Sequence, residues 1–216
     1  MSDSDGSKGR FIALEGGEGV GKSTQARLLA DALERRGVEV VLTREPGGTP
    51  GAEAIRSLLL YPPEAGWNPR AEALLFAAAR SDHIERLVRP ALATGQWVIS
   101  DRFLDSSRAY QGGGGGLTDA DILALHEVGS EGLLPDMTLL LEARSAATQA
   151  RLAQRDTGGS DAIGGRDEAY HSRVAKAFAH IAQAEPSRFA RIDGEGMPEE
   201  IHQRILAAIE PFMEPE

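Results

Sequence analysis

The chain has 216 residues, 41% hydrophobic and 26% charged, the balance expected of one soluble folding unit with a substantial core. Its formal net charge of −10 disfavours a nucleic-acid backbone as the main partner, and the absence of cysteine excludes disulfides and thiolate metal sites. No apolar run approaches the ~18 residues of a membrane-spanning helix, so no membrane partner is expected.

The first nine residues, Met1 to Gly9, are polar and carry no apolar signal region, so residues 1–9 read as a disordered lead before a single domain over residues 10–216. Arg10 to Glu15 is a short apolar run suited to a buried parallel strand. It leads directly into Gly16-Gly17-Glu18-Gly19-Val20-Gly21-Lys22-Ser23, a full match to G-x-x-x-x-G-K-[ST]. Ala26, Leu28, Leu29, Ala32 and Leu33 then recur at helical spacing up to Gly37. A glycine-rich loop between strand and helix lets successive N–H groups surround a phosphate, and the helix adds its positive N-terminal end. Residues 16–23, with Thr24 behind them, are therefore expected to hold the phosphates of a nucleoside triphosphate. Lys22 would supply a charge at the β- and γ-phosphates, and the Ser23 hydroxyl would ligate Mg²⁺.

Val38 to Thr43 reads as a second strand ending in the loop Arg44-Glu45-Pro46-Gly47-Gly48-Thr49-Pro50-Gly51. A helix with Ala54, Ile55, Leu58 and Leu59 follows, and Pro69 opens a longer helical region that runs to Ala93. Phe76 and Arg80 share one face of it, as a ring and a guanidinium able to receive a flat base. Taken alone, that pair reads more simply as a core ring and a solvated cation. Gln96 to Ser100 is the third strand and delivers Asp101-Arg102 to its end, where P-loop enzymes place a carboxylate for Mg²⁺.

Five glycines, Gly112 to Gly116, read as a loop of high chain entropy, and Thr118 with Asp121 as a capped helix start. Met137 to Leu141 is the fourth strand, and a helix is expected from about Ala146 to Arg155. Asp156 to Gly165 is a second glycine-rich stretch, flanked by Arg151 and Arg155 before it and Arg166 after it. Cations around a flexible segment suit a closing LID over about residues 151–166. A helix from near Asp167, a weaker strand Arg188–Ile192 and an amphipathic helix from Met197 to Phe212 complete the chain. His83, His126, His171, His180 and His202 show no metal-ligand spacing and read as surface or packing residues.

The alternation of strand and helix predicts an α/β fold: a five-stranded parallel sheet with helices on both faces, of P-loop NTPase type. Ligands in such sheets bind beyond the carboxyl ends of the strands, so the P-loop, Arg44-Glu45, Asp101-Arg102 and Glu142 should share one rim. A guanine-reading Asn/Thr-Lys-x-Asp motif is absent, which disfavours a GTPase-like switch.

The segments Thr43-Arg44-Glu45-Pro46-Gly47-Gly48-Thr49, Leu74-Leu75-Phe76-Ala77-Ala78-Ala79-Arg80 and Asp101-Arg102-Phe103…Ser106-Ser107-Arg108-Ala109-Tyr110-Gln111-Gly112, in this order after the P-loop, resemble the thymidylate kinases, a family of nucleoside monophosphate kinases. The resemblance implies transfer of the ATP γ-phosphate to dTMP in dTTP biosynthesis, with Mg²⁺, in a cytoplasmic homodimer. It implies that Phe76 stacks on thymine, Arg80 bonds its edge, and Ser107 and Gln111 read its N3 side. Tyr110 would lie against the sugar. Glu45, Pro46, Arg56, Arg102 and Ser106 would line the sugar and monophosphate region. Catalysis would fall to Lys22, Arg102, Arg151, Arg155 and Arg166, and the metal to Ser23 and Asp101. Gly115 departs from the family, which often has a basic residue in the glycine run.

Overall fold

The computed structural model describes residues 9–142 and 165–213. The expected helix from about Ala146 to Arg155, Arg151 and Arg155 themselves, most of the LID and the lead up to residue 8 lie outside these residues. Gly9, placed with the lead by the sequence, already packs close to the carbonyls of Leu92 and Gln96.

Five parallel strands form the sheet: β1 (Phe11–Glu15), β2 (Val40–Arg44), β3 (Trp97–Asp101), β4 (Met137–Glu142) and β5 (Phe189–Asp193), in the order β2-β3-β1-β4-β5. Each lies within two residues of its predicted bounds. Alternation along the strands sends Ile12, Leu14, Trp97, Ile99, Leu139 and Leu141 to one face and Phe11, Ala13 and Val98 to the other. The first face is covered by α1 (Lys22–Glu34) and α8 (Pro198–Ile209). The second is covered by α3 (Pro69–His83), α4 (Arg89–Ala93) and α6 (Asp119–Ser130). Beside them α7 (Glu168–Ala184) packs Tyr170, Val174, Phe178 and Ile181 against Tyr110 and Leu140.

Local chemistry sets the helix starts. Thr49 caps α2 (Pro50–Leu60), Asn68 caps α3, Thr118 and Asp121 form a reciprocal capping box on α6, and Asp167 caps α7. The long helix expected through Ala93 is interrupted: residues 84–88 form a widened turn before α4, and Pro90 follows it.

The glycine run is a correction. After a short helix α5 (Leu104–Ser107), residues 108–114 continue as a widened helical turn closed by Gly115 N donating to Tyr110 O, five residues back, at 2.7 Å. Gly113 and Gly114 serve close approach rather than looseness. A Cβ on Gly113 would lie 2.4 Å from the Ala177 methyl, and one on Gly114 2.6 Å from the Tyr170 ring. Helix α7 can seat against this turn only because those side chains are missing.

Register places the site. Leu14 and Arg44 both pair with Asp101, and Glu15 pairs with Leu140, so β1, β2, β3 and β4 end along one rim.

Candidate active site

Gly16 leaves β1 with φ of 139°, and a Cβ there would lie 2.4 Å from the Leu141 carbonyl, so the loop turns tightly past β4. The loop ends at Gly21, where α1 begins with Lys22 and Ser23 in its first turn. Lys22 is buried, and its Nζ donates to the carbonyls of Gly16 at 3.1 Å and Gly17 at 2.6 Å. Burial, then the Arg102 guanidinium, push its ammonium down to about 8. Ser23 Oγ donates to Asp101 Oδ2 at 2.5 Å. The other oxygen, Asp101 Oδ1, is buried without a hydrogen-bond partner among the described residues.

Arg102 follows with φ of 75°, a left-handed conformation that costs a non-glycine residue about 1–3 kcal/mol. Neighbouring groups hold it. Its amide donates to Leu14 O at 2.9 Å, Ser100 Oγ donates to its carbonyl at 2.7 Å, and Phe103 N donates to Glu15 Oε1 at 2.8 Å. The guanidinium is thereby turned back over the P-loop. It donates to Gly16 O at 3.2 Å, Ser106 Oγ at 3.0 Å, Glu18 Oε1 at 2.5 Å and Tyr110 Oη at 3.3 Å, and it lies 5.0 Å above the Tyr110 ring. Burial raises the Glu18 carboxyl, but Arg102 and then Lys22 outweigh it and hold Glu18 at about 2.

Glu15 was missed by the sequence reading. It is fully buried and accepts three hydrogen bonds, from Phe103 N, Ser106 N and Ser106 Oγ. Burial, then the Asp105 carboxylate, push it up to about 7. Its signals were a carboxylate closing an apolar strand and a place directly before the P-loop.

On the β2 side, Glu45 is joined to Pro46 by a cis peptide and lies beneath α3. Arg80 Nε donates to Glu45 Oε2 at 2.8 Å, and His83 Nδ1 lies 3.0 Å from Glu45 Oε1. Burial raises the Glu45 carboxyl, but Arg80, then His83, hold it below the ordinary glutamate range. Arg80 also donates to Ser107 Oγ at 2.8 Å and to Phe103 O at 3.3 Å. His83 is thus part of a buried chain that ends with Nε2 2.8 Å from Thr43 Oγ1. Its spacing of three from Arg80 could have linked the two.

A cavity of about 220 Å³ opens over this rim. The structure brings Glu18, Gly19, Gly21, Lys22, Ser23, Thr24, Glu45, Pro46, Arg56, Phe76, Asp101, Arg102, Ser106, Tyr110 and Gln111 to its wall. Phe76 is half-buried there, and Arg56 donates to Pro46 O at 2.7 Å. Arg80 and Ser107 stand behind the lining, both almost fully buried. Arg166 is placed elsewhere: it pairs with Glu72 and donates to Tyr170 Oη at 2.6 Å.

One cavity therefore presents a phosphate cradle at one end and a ring with buried hydrogen-bonding groups at the other. The family profile described as Thymidylate kinase matches residues 14–205. The chain belongs to the thymidylate kinase family. The thymidylate kinase of Rhizorhabdus wittichii is 57% identical over 201 residues, covering 93% of this chain and 97% of the relative. That of Gluconobacter oxydans is 49% identical over 94% of each chain, and that of Cereibacter sphaeroides 46% identical over 96% of this chain and 97% of its own. The crystal structure of thymidylate kinase from Ehrlichia chaffeensis superposes with a TM-score of 0.75 at 31% identity, covering 93% of this chain and 98% of that one. The sheet and its surrounding helices are thus those of the thymidylate kinases, and among the described residues no helix is long and apolar enough to cross a membrane.

Proposed function

We infer that the rim cavity of this dTMP kinase is where the γ-phosphate of ATP meets the monophosphate. The observation that carries the assignment is that Lys22 and Phe76 line one cavity with Arg102 between the P-loop and Tyr110. The loop amides and Lys22 bind the ATP phosphates, and Lys22 exchanges its carbonyl partners for phosphate oxygens. Arg102, held over the loop against its backbone preference, neutralises charge between the two phosphate chains. Phe76 supplies a stacking face for thymine, with Arg80, Ser107 and Gln111 at the base edge and Tyr110, Glu45, Arg56 and Ser106 around the sugar and phosphate. Arg151 and Arg155 complete the cationic surround in this proposal, on the strength of their spacing in the sequence and of the family resemblance.

The residues also fit Mg²⁺, which takes few protein ligands and keeps waters and phosphate oxygens. Ser23 and Asp101 would hold it, and the partnerless buried Oδ1 of Asp101 is an acceptor suited to a cation. Bound there, the ion would neutralise phosphate charge.

A homodimer belongs to the same reading, as does the family's cytoplasmic setting. Leu58, Leu74 and Val128 are exposed on α2, α3 and α6, which pack side by side. Light scattering should give twice the 23.0 kDa chain mass, and Val128→Glu should shift it towards the monomer.

ADP release coupled to a panel of nucleoside monophosphates tests the site. dTMP should exceed dCMP in kcat/KM by at least ~10²-fold, because a mismatched edge leaves buried polar groups unpaired. Comparable values for the two would refute the pocket assignment.

A further inference from the structure

We propose that Glu72 is a specificity-determining residue that fixes the direction in which Gln111 reads the base. Glu72, Phe76 and Arg80 lie four residues apart on α3 and therefore share a face. Glu72 is buried. Gln111 Nε2 donates to its Oε1 at 2.9 Å.

An ionised carboxylate only accepts hydrogen bonds, whereas an amide has a donor at one end and an acceptor at the other. Committing Nε2 of Gln111 to Glu72 therefore turns its carbonyl the opposite way. Gln111 lines the cavity, and its Oε1 receives no hydrogen bond among the described residues. The base is thus offered an acceptor. Thymine carries a proton on N3 and can satisfy it. Cytosine presents a lone pair at N3, so two acceptors would face each other.

Glu72 is not free to release the amide. Its second oxygen takes the Arg166 guanidinium, which also donates to Tyr170 Oη at 2.6 Å and lies 4.6 Å above that ring. Tyr170 Oη in turn donates to the Tyr110 carbonyl at 2.9 Å, and its ring packs where Gly114 has no side chain. Gln111 from the widened turn and Arg166 from the residues just before α7 thus hold the Glu72 carboxylate by both oxygens. In this arrangement Arg166 is a positioning residue that acts through Glu72.

The inference rests on the reading that Gln111 faces the base, and the experiment separates the two. The ratio of kcat/KM for dTMP to that for dCMP is measured in the parent, Glu72→Gln, Gln111→Ala and the double variant, each checked for folding by thermal melting. A glutamine at 72 can offer either end of its amide, so Gln111 can turn over, and the ratio should fall at least ~10-fold. A merely structural role would lower both substrates together and leave the ratio in place, which would overturn the proposal. In the Gln111→Ala background, Glu72→Gln should move the ratio no further, and an undiminished change there would also overturn it. An unchanged ratio in Gln111→Ala alone would instead refute the pocket reading. Should Glu72→Gln not fold, calorimetry on the parent enzyme decides with 3-deazathymidine monophosphate, which lacks the N3 proton. Binding at least ~10-fold weaker than dTMP is expected, and equal binding would overturn the proposal.

Discussion

Ser23 in the first turn of α1 donates to Asp101 at the end of β3 at 2.5 Å, which ties the phosphate-binding helix to the neighbouring strand. The two side chains thereby present a hydroxyl and a carboxylate to the same space. Asp101→Asn keeps the shape but loses half the acceptor capacity and the charge. Raising Mg²⁺ should then restore only part of the activity, and the concentration for half-maximal rate should increase at least about tenfold. An unchanged Mg²⁺ dependence in the folded variant would remove Asp101 from the metal site.

Lys22 Nζ donates to two carbonyls of its own loop, so its removal touches the loop and not the packed core. Lys22→Ala should lower kcat by at least ~10² while moving Tm by no more than about 4 °C. Near-normal turnover in a well-folded variant would count against the P-loop assignment.

Arg80 and Glu45 form a buried pair, and removing one partner leaves the other charge in a poor solvent. Arg80→Met should cost about 3–5 kcal/mol in urea unfolding. Adding Glu45→Gln should recover part of that loss. A cost below about 1 kcal/mol would mean that His83 alone satisfies Glu45.

Glu15 should make stability depend on pH with a sign unusual for a carboxylate. Burial and Asp105 raise its folded value to about 7 from an ordinary 4.5, so the folded state holds the proton more tightly than the unfolded chain. Its contribution is complete below about pH 4.5 and is lost as pH rises through 7. Glu15→Gln removes this dependence, so the variant should gain on the parent by about 3 kcal/mol between pH 4.5 and 7.5. Parallel stability curves for the two proteins would show that Glu15 ionises normally. Glu18 and Glu45, whose carboxyls are held low, work in the other direction but do so equally in both proteins.

The arginines around the glycine-rich stretch should divide by role. Arg151→Ala or Arg155→Ala should lower kcat by ~10²–10³ with little change in KM for dTMP. Arg166→Ala should act mainly on the choice between dTMP and dCMP. If Arg151 and Arg155 both prove dispensable for kcat, the catalytic cation is Arg102 or Lys22.

Much of the fold was legible because buried parallel strands are short apolar runs, and the P-loop announces the strand and helix on either side of it. The rim was legible for the same reason: residues that follow strand ends in such a sheet converge. The partners of buried charges were not. Glu72 meets Gln111 39 residues away and Arg166 94 residues away, and Glu15 meets Ser106 across 91. No local period encodes such pairings. The glycine run misled because glycine marks both slack chain and tight contact, and only the position of α7 distinguishes the two.

Asp105 is fully buried beside the residues that line the cavity, and both of its oxygens are taken by arginines. Arg108 donates to it at 3.1 Å, and Arg188, the residue before β5, donates at 2.7 and 2.9 Å. Glu185 at the end of α7 binds both guanidiniums. The edge strand therefore cannot peel from the sheet without uncovering the anchor of the segment that holds Tyr110 and Gln111. Backbone amides of residues 104–114 and 189–193 should accordingly exchange with solvent as one cooperative unit, so that fraying at the sheet edge is transmitted to the nucleotide pocket.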